Sequence, residues 1–344
     1  MNAMTPPDRS RPVAVWLFCV AALVLAMVVV GGATRLTGSG LSITEWRPVT
    51  GTLPPLTAAH WAEEFEKYRA IPQYEQVNRG MTLEAFKFIY WWEWGHRFLG
   101  RLVGLAFAAP FALFLVRRQI PQRLIVRCWA LFALGGLQGA IGWWMVASGL
   151  SERVSVAPER LMTHLGLAFF LLAALLWTGL EAWNGAPRRK AAGRWPLIGL
   201  CMAILVYAQI LLGALVAGND AGYVLTDWPL MGGRWFPADY AGRGLWSTFA
   251  HSVPAVQFHH RLGAYVLCAC ALALVIACVR SLDLAVPVRR AGIFLGLGVF
   301  GQAGLGIWTL VSATPLALGL AHQAAAAGVL GLATGFLWIS RREG

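Results

Sequence analysis

Apolar residues gather into eight blocks of about twenty, the length that carries a helix across the hydrocarbon core of a bilayer. The blocks run approximately over Val13–Ala33, Ile89–Val116, Leu124–Val146, Leu161–Trp183, Trp195–Ala217, Val256–Val279, Ala291–Val311 and Ala317–Ile339. No two-residue alternation of the outer-membrane barrel kind interrupts them, so each block predicts a spanning helix. The expected fold class is an all-α integral membrane protein with eight transmembrane helices.

Composition agrees with the pattern. The 344 residues are 58% hydrophobic and 13% charged, with mean hydropathy +0.60, where a soluble domain carries about a quarter charged residues. A net charge of +12 suggests nucleic acid until its distribution is read. With eight spans, one set of connections and both termini holds fifteen basic residues against four acidic ones, and the other side thirteen against twelve. That is the positive-inside pattern. It places both termini in the cytoplasm and makes lipid, not nucleic acid, the medium. The first block has the flanks of a retained span, and a bacterial inner membrane is the expected location. All six cysteines fall within or at the ends of the blocks and no C-x-x-C occurs, so small buried hydrophobes are expected in place of a disulfide framework or zinc site.

The chain contains an internal repeat. Thr44–Trp46 (TEW) corresponds to Thr226–Trp228 (TDW) at an offset of 182, and Glu93–Arg97 (EWGHR) to Gln257–Arg261 (QFHHR) at 164. Gln138, Gly142, Trp144 and Ser148 correspond to Gln302, Gly306, Trp308 and Ser312 at 164, and His164 to His322 at 158. The offsets change only across loops, where length is tolerated. Four spans per copy is an even number, so both copies insert the same way. The expected organisation is two pseudo-symmetric four-helix bundles, residues 1–183 and 195–344, joined by a basic cytoplasmic linker at 184–194.

Of seven histidines, His60, His251 and His259 have no counterpart in the repeat; His60 and His251 fall in outer connections and read as surface or interfacial groups, and His259 points about 100° away from His260 around its helix. His96, His164, His260 and His322 do correspond, one near the start of each even-numbered span, so they share one depth near the outer face. A single buried histidine is commonly a hydrogen-bonding core residue; four in a repeated pattern inside a membrane indicate a site. Zinc requires further N, S or O ligands that the repeat does not supply. Haem iron takes one or two axial ligands in an apolar pocket, and the glycine-rich third and seventh spans let a flat ring approach the backbone. Arg97 and Arg261 follow ligand histidines and are candidate partners for haem propionates, with interfacial snorkelling as the plain alternative.

The copies differ three residues before the histidine. Glu93, on the same helical face as His96, stands where the other copy has Gln257, which cannot ionise. Glu93 and Arg97 at i, i+4 form an ion pair in the structural reading. In the functional reading Glu93 transfers a proton or stabilises positive charge beside a reacting haem substituent. The arginine persists at Arg261 without an acid, which favours the second. The N-terminal half then holds the chemistry, and the C-terminal half an electron-transfer or structural haem.

The segments GGATRLTGSGLSITEWRPVTGTLPP (Gly31–Pro55), EWGHR, THLGLA, QFHHR and AHQ resemble the haem A synthase family over essentially the whole chain. The resemblance implies an enzyme that oxidises the C8 methyl of haem O to a formyl group, giving haem A for terminal oxidases. It further implies haem b as cofactor on His260 and His322, haem O as substrate on His96 and His164, and Glu93 as the functionally important acid. A haem O synthase, terminal oxidase assembly and an electron donor are its expected partners. Some members carry cysteine pairs in the outer loops, and this chain has none there. Two other classes keep the four histidines: a di-haem b electron-transfer cytochrome, and a haem transporter or chaperone.

Overall fold

A computed structural model describes residues 7–186, 193–281 and 284–343. Among them the regular structure is helical apart from one bridge between Met231 and Arg234. The helices are α1 (Pro7–Leu36), α2 (Ala58–Arg69), α3 (Pro72–Gln76), α4 (Leu83–Val116), α5 (Gln122–Ala147), α6 (Pro158–Asn184), α7 (Arg194–Gly218), α8 (Leu245–His251), α9 (Val253–Arg280), α10 (Val286–Val311) and α11 (Leu316–Glu343). Eight of these, all but α2, α3 and α8, are long and apolar enough to cross a membrane, and they coincide with the eight blocks. Most of the 184–194 linker, with Arg188, Arg189 and Lys190, lies outside the described residues, as does Asp283.

Local chemistry sets the helix ends. Thr82 caps α4 by accepting from the Ala85 amide at 3.3 Å, satisfying one of the amides that a helix start leaves orphaned. Proline occupies the first turn of α6, α9 and α10, where its missing N–H costs nothing. Gly185 ends α6 at φ +82°, a conformation that favours glycine. The 34 residues of α4 extend about 51 Å at 1.5 Å each, well beyond a hydrocarbon core of about 30 Å. The helix starts six residues before the apolar block does, and its early turns stand among the loops.

In the first half α1 packs on α4 and α6, and α5 on α4 and α6. This closes a ring in which α4 and α6 are diagonal. In the second half α7 packs on α9 and α11, and α10 on α9 and α11, so α9 and α11 are diagonal in the same sense. The halves meet through α6–α7, α1–α11 and α6–α11. Exchanging corresponding helices maps these contacts onto one another, an arrangement consistent with the expected pair of pseudo-symmetric bundles. One apolar core runs through the junction, from Val13 and Leu17 through Phe169 and Leu172 to Leu295 and Phe336.

Polar contacts cross the junction as well. Tyr207 Oη donates to the Gly166 carbonyl at 3.1 Å, Gln323 Nε2 to the Val28 carbonyl at 2.9 Å, and Arg35 to Asp220 Oδ2 at 2.7 Å. Inside a membrane such close packing and backbone-directed bonds hold helices together, because lipid tails offer no hydrophobic gain over leucine. A second core caps the first half. Tyr68, Ile71 and Tyr74 of the α2–α3 segment pack on Phe86, Ile89 and Tyr90 of α4. Fully burying a side chain such as Phe86 from water is worth about 1.5–3 kcal/mol, which fixes the loop over the start of α4.

Candidate functional site

The four repeated histidines lie at one end of the bundle, the end that carries the 37–82 and 219–252 loops. His96 and His164 project from the diagonal helices α4 and α6, His260 and His322 from α9 and α11. Within each half the two imidazoles lie within electrostatic reach of each other. Each ring rests against a glycine of the preceding long helix, on α1, α5, α7 and α10 in turn. A Cβ built on Gly31 would come within 2.9 Å of His96, on Gly142 within 2.9 Å of His164, on Gly213 within 3.0 Å of His260 and on Gly306 within 2.7 Å of His322. A Cβ at such distances would push the ring away, so glycine is what lets the rings lie back against the helix. The pairs Gly31–Gly213 and Gly142–Gly306 keep the repeat offsets of 182 and 164.

Three of these rings are also fixed by an amide one turn before the glycine. Gln138 Nε2 donates to His164 Nδ1 at 3.2 Å and to its carbonyl at 2.9 Å. Gln209 does the same to His260 at 3.0 and 2.8 Å, and Gln302 to His322 at 3.1 and 2.9 Å. The Oε1 atoms of all three glutamines are buried without a partner. The motif is legible as Q-x-x-x-G in α5, α7 and α10, and the α7 copy, Gln209–Gly213, escaped the sequence reading. In α1 the same positions hold Met27 and Gly31.

Glu93 is buried, 3% exposed. Its Oε2 accepts from Ser42 Oγ and the Ile43 amide, both at 2.8 Å, and its Oε1 from Arg97 Nη2 at 2.6 Å and Nε at 3.1 Å. All four partners donate, the environment of an ionised carboxylate. The ion pair of the structural reading is therefore present. Gln257 keeps half of this: its Oε1 accepts from Arg261 Nη2 at 2.9 Å, while its Nε2 donates to the Ala221 carbonyl at 2.8 Å.

Both arginines have a role that the sequence did not announce. Arg97 donates to the carbonyls of Ile43 at 2.7 Å and Glu45 at 2.8 Å. Arg261 donates to those of Leu225 at 2.7 Å and Asp227 at 2.9 Å. Residues 43 and 45 correspond to 225 and 227 at the offset of 182, so each arginine fastens the T-[ED]-W loop of its own half over its histidine. In the second loop Asp227 accepts from the amides of Gly233 at 2.9 Å and Gly232 at 2.8 Å, which hold its carboxyl below the usual value. In the first, the Lys67 ammonium meets Glu63 at 2.6 Å, Glu64 at 2.9 Å and Glu45 at 3.1 Å. Burial pulls its pKa down, and the three carboxylates more than offset this, leaving it raised.

The remaining histidines stand apart from the four. His60 is exposed beside a cavity of about 190 Å³ that Arg97 and Arg101 also line. His251 lies 3.7 Å from Glu159, and His259 Nε2 pairs with Tyr240 Oη at 2.7 Å. All six cysteines are free thiols. Among the described residues no three His, Cys, Asp or Glu side chains gather as a metal site. A haem suits the donor set: two half-buried imidazoles on diagonal helices, glycine-backed, in an apolar interior.

Known proteins resemble the chain over nearly its whole length. Residues 14–334 match the model of the family described as "Cytochrome oxidase assembly protein". A "Heme A synthase" of Caulobacter vibrioides is 58% identical over 99% of this chain and 100% of its own length. That of Caulobacter sp. (strain K31) is 60% identical over the same shares, and that of Parvibaculum lavamentivorans 50% identical over 97% of this chain and 96% of its own. The chain belongs to the cytochrome oxidase assembly protein family.

Proposed function

We propose that the chain is a haem A synthase, an oxidoreductase that converts the C8 methyl of haem O to a formyl group for use in terminal oxidases. The observation that carries the reading is the repeated site itself: two pairs of glycine-backed histidines on diagonal helices, of which only one has a carboxylate beside it. Full-length similarity to proteins named for this activity supports it.

In this reading His260 and His322 hold a resident haem b, which supplies electron transfer when bound. His96 and His164 hold the substrate haem O. The bundle of residues 1–183 is the reaction chamber and that of 195–344 the electron-transfer unit. Arg97 and Arg261 hold the loops down and keep positive charge near the outer end, where propionates would lie. Glu93 sits one turn from His96 with its charge fixed by four donors. A carboxylate held this way in low dielectric stabilises positive charge developing at a nearby carbon, and can accept a proton there. Gln257 offers neither. Both termini lie in the cytoplasm of a bacterial inner membrane, with the histidines toward the outer face. A haem O synthase upstream and oxidase assembly downstream are the partners this reaction requires.

The test is to express the protein with a source of haem O, extract the haems and separate them by chromatography. Haem A or its hydroxymethyl precursor above the vector control is the expected result. Haem O recovered unchanged beside copurifying haem b would return the protein to the electron-carrying class.

A further inference from the structure

The four cradles are not equal. Where α5, α7 and α10 place Gln138, Gln209 and Gln302 one turn before the cradle glycine, α1 places Met27. Met27 reaches across to α4, its Cε 3.2 Å from a Cβ built on Gly100, four residues after His96, where Gln209 reaches α9 against Gly263, three residues after His260. A thioether cannot donate a hydrogen bond. Among the described residues, no group bonds either ring nitrogen of His96.

The ring of His96 is also turned. At His164, His260 and His322 the atom closest to the cradle glycine is Cε1, then Nδ1, with Nε2 more distant at 3.5–3.8 Å. At His96 the closest atom is Nε2, at 2.9 Å, followed by Cδ2 at 3.4 Å. Turning the ring over about its Cβ–Cγ bond exchanges Nε2 with Cε1 and Cδ2 with Nδ1 and reproduces the order of the other three, so the His96 ring reaches their orientation by a flip in place. A third difference lies in the helices: α4 and α5 meet far less extensively than their counterparts α9 and α10, which leaves the N-terminal ring open on the side of His96.

We propose that His96 is an unlatched ligand whose ring is free to flip, that His164 is the fixed ligand of the same half, and that Met27 in place of glutamine makes the N-terminal site one that exchanges its haem. A substrate site must release its product, whereas a resident cofactor is best retained, and one side-chain position separates the two behaviours. The proposal rests on the ligand assignment above and adds which ligand moves and why.

Met27→Gln tests it, with Met27→Leu as the steric control and Gln209→Met as the reciprocal. Purified haem-loaded protein is mixed with excess apomyoglobin in detergent, and haem transfer is followed by absorption. Two release phases are expected, the faster missing in His96→Ala and in His164→Ala. In Met27→Gln the fast phase should slow by roughly tenfold or more, the scale on which a ligand's hydrogen-bond partner changes metal affinity, and low-spin absorption should rise. Met27→Leu should release haem as the parent does, and Gln209→Met should quicken the slow phase. An unchanged fast phase in Met27→Gln, or the same slowing in Met27→Leu, overturns the proposal while the ligand assignment stands. If the two alanine variants keep both phases, it is the ligand assignment that falls.

Discussion

Glu93 and Gln257 make opposite use of one hydrogen-bond position. In the first half the loop donates, through Ser42 Oγ and the Ile43 amide, to a carboxylate; in the second the Ala221 carbonyl accepts from an amide. Glu93→Gln therefore does more than remove a charge. It turns an NH₂ toward two donors, and an Ile43 amide left without an acceptor costs about 1–3 kcal/mol. Ser42→Ala separates the two effects, because it weakens the loop contact and keeps the carboxylate. Glu93→Gln should retain the low-spin haem b spectrum and lose haem A output, with a lowered melting midpoint, whereas Ser42→Ala should retain most of the output. Equal loss of product in both variants would make Glu93 a loop anchor. This residue was legible in the sequence because the repeat fails there. The engagement of Arg97 and Arg261 was not, because their partners are main-chain carbonyls, which leave no mark in side-chain identity.

Among the elements, the spans were readable from apolar length alone, and their boundaries were not. The start of α4 carries Glu84 and Lys87, which read as loop; the structure makes it helix because Phe86, Ile89 and Tyr90 bury against α2 and α3. The glutamine latch was half visible. Gln138 and Gln302 were aligned through the repeat, but α7 aligns with α1, where methionine breaks the pattern. The loop that Arg261 fastens depends on Asp227, whose folded pKa lies below its ordinary 3.8 because the Gly233 and Gly232 amides favour the ionised form. A depressed carboxyl contributes stability that is present above the unfolded value and is lost as pH falls through the folded one. Proteolytic nicking of residues 224–236 should therefore stay slow down to about pH 4 and quicken as the pH is lowered further, using a protease active in acid. Asp227→Asn should nick faster at neutral pH and lose that dependence. A variant with the parent's pH profile would show that the arginine alone holds the loop.

At the scale of the whole molecule, the proposed orientation rests on where the charges and the histidines lie on the bundle. Arg117, Arg127, Arg280, Arg289 and Arg341 sit at or near the ends of α4, α5, α9, α10 and α11 remote from the four histidines. Two of the arginines at that end have a buried acid partner: Glu181 accepts from Arg123 Nε at 3.0 Å and Arg127 Nη1 at 2.6 Å. That side carries fifteen basic residues against four acidic ones, and an excess of Lys and Arg in short connections keeps those connections on the cytoplasmic side. In the proposed orientation the 37–82 and 219–252 loops, nearly neutral and much longer, face outward, and all four cradles lie near the outer surface. Single cysteines in a background with the six native ones replaced decide the matter. Leu53 and Leu245 are 73% and 94% exposed on the outward loops, while Arg342 lies in the last turn of α11. In spheroplasts, a membrane-impermeant maleimide should label Leu53→Cys and Leu245→Cys, and Arg342→Cys only after lysis. The inverse pattern would put the haem pockets on the cytoplasmic side and oblige the substrate to reach them from there.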